Sequence, residues 1–116
     1  EHPEWVIRDV EGRPVPEWRN YGPESGLTDP EHYALDASHP GVLEHLRTIF
    51  RSLRQWGATV FKTDFLDWGL KDTERVARHD LTRTSVEAFR SVLQMIREEI
   101  GEDKALFTPP EQALRK

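Results

Sequence analysis

Ala58-Thr59-Val60-Phe61-Lys62-Thr63-Asp64-Phe65-Leu66-Asp67-Trp68-Gly69 reads as an apolar strand that ends in charged residues. Side chains alternate along a strand, so Val60, Lys62 and Asp64 share one face while Phe61, Thr63 and Phe65 share the other. A cation and a carboxylate therefore stand together at the C-terminal end of the strand. With helices over the Phe61/Phe65 face, Lys62 and Asp64 point into the interior of a parallel sheet or barrel, where such folds keep their chemistry.

Working outward, the spacing predicts a helix on each side of this strand. Ser38-His39-Pro40 opens the first, with Ser38 or His39 near the N-cap and Pro40 in the first turn, where its missing N–H costs nothing. Val42, Leu46, Ile49, Phe50 and Leu53 follow one helical face, and Gly57 stands at the expected C-terminal cap. After the strand, Asp67 to Asp80 reads as a polar loop. Thr82 or Thr84 then begins a second helix with a stripe of Val86, Phe89, Leu93, Ile96 and Ile100, which Gly101 ends. Tyr33-Ala34-Leu35 and Ala105-Leu106-Phe107 are short strand candidates, the latter stopped by Pro109-Pro110. The order strand, helix, strand, helix, strand builds a parallel sheet with right-handed crossovers.

Residues 1–32 are rich in Pro, Gly, Glu and Arg, with turn signals at Glu11-Gly12, Tyr21-Gly22-Pro23, Ser25-Gly26 and Asp29-Pro30. The expectation there is an extended, loop-like segment with at most a short strand near Trp5-Val6-Ile7. Residues 33–107 form the βαβαβ core, and 108–116 a polar tail.

Composition removes several function classes. With 116 residues the chain has the length of one domain. It contains no cysteine, hence no disulfide framework, thiolate metal site or cysteine nucleophile. The absence of cysteine fits a cytoplasmic protein but leaves the compartment open. No apolar run approaches the roughly 20 residues of a membrane span, so a soluble protein is expected. Net charge is −5, with basic residues scattered among acids, which gives nucleic acid binding little support. The histidines His2, His32, His39, His45 and His79 show no paired metal spacing, and no phosphate loop appears; no metal or cofactor is expected. Of the four tryptophans, Trp56 reads as core and Trp68, just past the charged strand end, as a ligand wall.

Tyr33-Ala34-Leu35-Asp36, Ser38-His39-Pro40, a helix ending Arg54-Gln55-Trp56-Gly57, then Phe61-Lys62-Thr63-Asp64-Phe65-Leu66 and the run from Thr84 to Asp103 together resemble the catalytic barrel of melibiase-type α-galactosidases, glycoside hydrolase family 36. The resemblance extends from about His2 to Phe107. It implies a partial TIM-type (β/α) barrel, corresponding to roughly the third to fifth units, since a complete barrel needs about 250 residues. It also implies a retaining glycosidase acting on terminal α-linked galactose. The motif assigns Asp64 as nucleophile and Lys62 as a sugar contact. A nearby ammonium favours the ionised carboxylate that a nucleophile requires.

Retention needs a second carboxyl group only about 5 to 5.5 Å from the first. In the family it comes from a later strand, and the family's cysteine-containing, glycine-rich turn is replaced here by Thr108-Pro109-Pro110. Asp67 lies too close in sequence to Asp64 to converge on a sugar from the opposite side. Asp36, at a strand end on the same face, either lines the sugar pocket or caps the helix that starts near Pro40. The rival expectation is a noncatalytic half-barrel that pairs with itself as a homo-oligomer through open sheet edges and at most binds an α-galactoside.

Overall fold

The computed structural model describes residues 2–19, 31–63, 70 and 74–107. A 3₁₀ turn at Pro3–Trp5 is followed by short strands β1 (Arg8–Asp9), β2 (Pro16–Arg19) and β3 (Glu31–Tyr33). Helix α1 (Pro40–Gln55), β4 (Val60–Lys62), β5 (Val76–Ala77), α2 (Ser85–Ile100) and β6 (Ala105–Phe107) complete the order.

Both helices have local reasons to begin and end where they do. Pro40 occupies the first turn of α1, and His39 is its N-cap, accepting the Gly41 N–H on ring Nδ1 at 3.0 Å. At the other end, Ala58 N–H reaches Leu53 O at 3.1 Å and Gly57 N–H reaches Arg54 O at 2.9 Å, the paired bonds of a Schellman turn. That turn needs a left-handed residue, and Gly57 supplies it with φ 96°. Thr84 and Glu87 form a reciprocal capping box at the start of α2. Gly101, at φ 88°, ends that helix.

Strands β4 and β6 pair in parallel, with Val60 opposite Ala105, Phe61 opposite Leu106 and Lys62 opposite Phe107. Helix α2 connects them, so this part is a βαβ unit in a mixed α/β fold. Phe61 turns inward and joins Val92, Met95, Ile96 and Ile100 in the core, against Leu46, Phe50 and Leu53 of α1. The Phe50 and Phe61 rings lie 6.0 Å apart and tilted. Each fully buried side chain of this kind contributes about 1.5–3 kcal/mol. On the rim, the Glu99 carboxylate accepts from Arg47 at 2.9 Å and Arg51 at 3.1 Å, tying α2 to α1. The other face of the β4/β6 pair is open: Val60 is 67% and Phe107 51% exposed, with Lys62 exposed between them.

Several expectations change. The Tyr33–Leu35 strand does not extend a parallel sheet among the described residues. Instead, β3 pairs antiparallel with β2, and Leu35 bridges antiparallel to Val6. The N-terminal segment supplies the backbone partners: Ile7 N–H donates to Ala34 O at 3.0 Å and Asp36 N–H to Trp5 O at 2.7 Å. That segment is therefore more structured than its turn-rich composition suggested. Its first strand, β1, lies just beyond Trp5–Ile7 and pairs antiparallel with β5, and the segment also supplies β2.

The buried face of α2 is also rotated from the expected stripe. Ala88, Val92 and Met95 join Phe89, Ile96 and Ile100 inside, whereas Val86 is 49% exposed. Trp56, expected in the core, is 80% exposed because the Schellman turn ends the helical face before position 56 can join it.

Candidate functional site

Lys62 is the last residue of β4, on the open face and opposite Phe107 in the register. Asp64, Asp67 and Trp68 lie outside the described residues. The strand is held up to that point: Thr63 is buried, and its N–H donates to Phe107 O at 2.9 Å.

Asp36 is only 2% exposed, and it borders a surface cleft of about 360 Å³ together with Glu4, Val6, Arg8, Arg78 and His79. Lys62 does not line this cleft, so these two sequence-derived candidates are not brought together there. Nor is Asp36 the N-cap of α1, a task taken by His39. Its Oδ1 accepts the Ser38 N–H at 3.0 Å and the Ser38 hydroxyl at 2.7 Å. Its Oδ2 accepts the His79 N–H at 2.7 Å, and the buried Arg78 guanidinium lies 3.6 Å from Oδ1.

The surrounding polar groups are similarly engaged. Arg8 donates to Gly12 O at 2.6 Å and to Pro3 O. The Asp9 carboxyl is held below its ordinary range first by the backbone N–H of Arg13 and then by that of Glu11. Asp80 is lowered chiefly by the Thr82 hydroxyl, then by the Thr82 backbone. An aromatic group adjoins this junction: His2 stacks on Trp5 at 3.9 Å, and the His39 and His79 rings stand 4.3 Å apart. Among the described residues no three His, Asp or Glu side chains form a metal-binding group. No described helix is long and apolar enough to cross a membrane.

Sequence reasoning missed Arg78 and the structural part of Ser38. A local signal existed for Ser38, because Asp-x-Ser favours a side-chain-to-backbone turn, which the two Asp36–Ser38 bonds display. Nothing local marks Arg78, whose neighbour Asp36 is far away in sequence.

No protein-family profile matches the chain. Two solved structures of TtGalA, the α-galactosidase from Thermus thermophilus, do. In the complex with stachyose, 30% identity extends over 93% of this chain and 20% of that one, with a TM-score of 0.66. In the complex with p-nitrophenyl α-D-galactopyranoside, 30% identity extends over 92% and 19%, with a TM-score of 0.65. The chain thus spans about a fifth of the α-galactosidase it matches. In sequence and fold it is related to the α-galactosidases over nearly its whole length, and the resemblance to glycoside hydrolase family 36 is borne out.

Proposed function

We propose that this chain forms part of the sugar site of a retaining α-galactosidase, built on a partial TIM-type barrel. The observation that carries the reading is 30% identity over 93% of the chain to an α-galactosidase seen with a galactoside. On this reading residues 1–32 are a loop-rich segment of the barrel, 33–107 its core and 108–116 a polar tail. Asp64 is the nucleophile, Lys62 contacts the sugar, Trp68 forms a wall and Asp36 borders the site.

The chemistry follows from the strand. By the alternation read from the sequence, Asp64 falls on the face of Lys62, and an ammonium there would favour the carboxylate form a nucleophile needs. The carboxylate attacks the anomeric carbon as the bond to the leaving group breaks, giving a glycosyl-aspartate that water then hydrolyses. A general acid from a later strand of the barrel protonates the leaving oxygen. No cofactor takes part.

The test is intact-mass analysis after incubation with 5-fluoro-α-galactosyl fluoride, whose fluoride leaves without a general acid. One added sugar, located on Asp64 and lost in Asp64→Asn, is the expected result. A sugar that remains on the Asp64→Asn chain sinks the assignment.

A second reading rests on the open β4/β6 face, where Val60 and Phe107 are exposed on a parallel pair. Parallel sheets are normally covered on both faces. This reading makes the chain a noncatalytic half-barrel that closes against a second copy. Light scattering over a concentration series separates the readings: a strict monomer at high concentration removes self-assembly.

A further inference from the structure

We infer that the start of α1 is a pH-sensitive latch, in which the neutral His39 ring holds the first turn and the seat of Trp5, and acid releases both. The inference stands apart from the α-galactosidase reading. His39 is the N-cap of α1, and its ring Nδ1 accepts the Gly41 N–H at 3.0 Å. A nitrogen that accepts a hydrogen bond carries no proton, so the capping ring is neutral with its hydrogen on Nε2. Hydroxyl and amide oxygens, common N-caps, keep their accepting capacity through the physiological pH range. An imidazole does not, because it ordinarily changes its charge between about pH 8 and 5.

The surroundings give protonation its consequence. The Trp5 indole and the His39 ring pack directly over the first turn: a Cβ on Gly41 would lie 2.9 Å from Trp5 Nε1 and 3.1 Å from His39 Nδ1. The His79 ring lies 4.3 Å from that of His39, while His2 and His45 stand 3.9 and 5.3 Å from Trp5. The carboxylates of this junction are engaged elsewhere. Glu4 meets His2 Nδ1 at 3.1 Å, Asp36 holds Ser38 and the His79 N–H beside Arg78, and Asp80 holds Thr82. A proton on His39 Nδ1 sets donor against donor at Gly41, puts a cation at the positive end of the helix dipole and leaves it beside a second imidazole. The capped state cannot hold that proton and the opened state can, so falling pH favours opening.

The test is nuclear magnetic resonance of the whole chain from about pH 8 to about pH 5, the range of imidazole titration, alongside a His39→Asn variant. The asparagine oxygen caps a helix without titrating. At the upper end the ring nitrogen shifts of His39 should show a bare Nδ1 and a protonated Nε2. Solvent-exchange protection of the Gly41 amide should fall by about tenfold across the range, the scale of one hydrogen bond, and the Trp5 indole N–H resonance should move with it. The Glu87 amide is the internal control, because its acceptor at 3.2 Å is the Thr84 hydroxyl, which does not titrate. Its protection should stay level, and in His39→Asn the Gly41 amide should do the same.

A neutral His39 ring with its proton on Nδ1 would overturn the inference outright, whether or not the variant folds. Gly41 protection that stays as level as that of Glu87 in the unaltered chain would overturn it as well. An equal acid loss in His39→Asn would assign the effect to another group of the junction, such as His79 or His2, and remove the role of His39. None of these outcomes depends on whether the chain takes a galactosyl label.

Discussion

The two halves of the described structure are held by different forces. Around β4, β6, α1 and α2, apolar side chains close on one another, with Ile96 and Ile100 essentially without solvent contact. Where residues 2–12, the turn at Asp36 and residues 75–80 meet, the joints are hydrogen bonds and a buried ion pair beside one fully buried apolar side chain, Ile7. Apolar packing is non-directional and tolerates small shifts. A buried polar joint is directional, and removing one member leaves the others in a low dielectric without compensation. The first region can therefore be loosened by degrees, and the second should fail abruptly.

The sharpest trial of that contrast is Asp36→Ala, which takes the carboxylate from beside the buried Arg78. It should cost about 3–5 kcal/mol in urea unfolding, the range for breaking a buried pair. A loss under about 1 kcal/mol, the size of one net hydrogen bond, would show the junction to be ornamental to the fold. In the apolar half, Ile96→Ala should cost about 2–5 kcal/mol, with the midpoint falling and the denaturant slope unchanged.

A smaller effect is expected at the margin of the helices. Thr84→Ala removes the capping box of α2 and should cost about 1 kcal/mol, read as a lower thermal midpoint.

Acidification probes the polar rim of the apolar half. Arg51 first and Arg47 second hold the Glu99 carboxyl below its ordinary value. A carboxyl depressed in the folded state stabilises it above the unfolded-state value, and that contribution is lost as pH falls through the folded value. Glu99→Gln should therefore flatten the acid limb of a stability–pH curve by a modest amount, since these pairs are partly solvated. An acid limb identical to that of the unaltered chain would remove Glu99 from the linkage. The smallest effect belongs to Trp56→Ala, within about 0.5 kcal/mol, because the ring is 80% exposed. A larger loss would mean that the indole packs against something in solution.

Much of the apolar half was legible from spacing alone. His39 and Pro40 before a three-to-four stripe, Gly57 after it, and Thr84 with Glu87 are signals readable within a few residues, and α1, α2, β4 and β6 stand where they point. Of the α2 stripe, Phe89, Ile96 and Ile100 are buried as read, and Val86 is not. Val86 satisfies the period as well as Ala88 does, and only the position of β4 decides which side is buried. The Lys62 face of β4 was likewise set by alternation, while the proposed roles of Lys62, Asp64 and Trp68 rest on the motif and its resemblance.

By itself the sequence determined the helices with their caps, the strand that contains Phe61 and Lys62, and the kinship with α-galactosidases, because each is written in local spacing or in a contiguous motif. Tertiary structure alone decided that residues 5–10 would find partners at 34–36 and 75–77, and that Asp36 would hold His79 and lie beside Arg78. Those are pairings between distant backbone and side-chain groups of ordinary type. Hydrogen-bonding capacity is the same at nearly every residue, and only the folded chain selects which donor meets which acceptor.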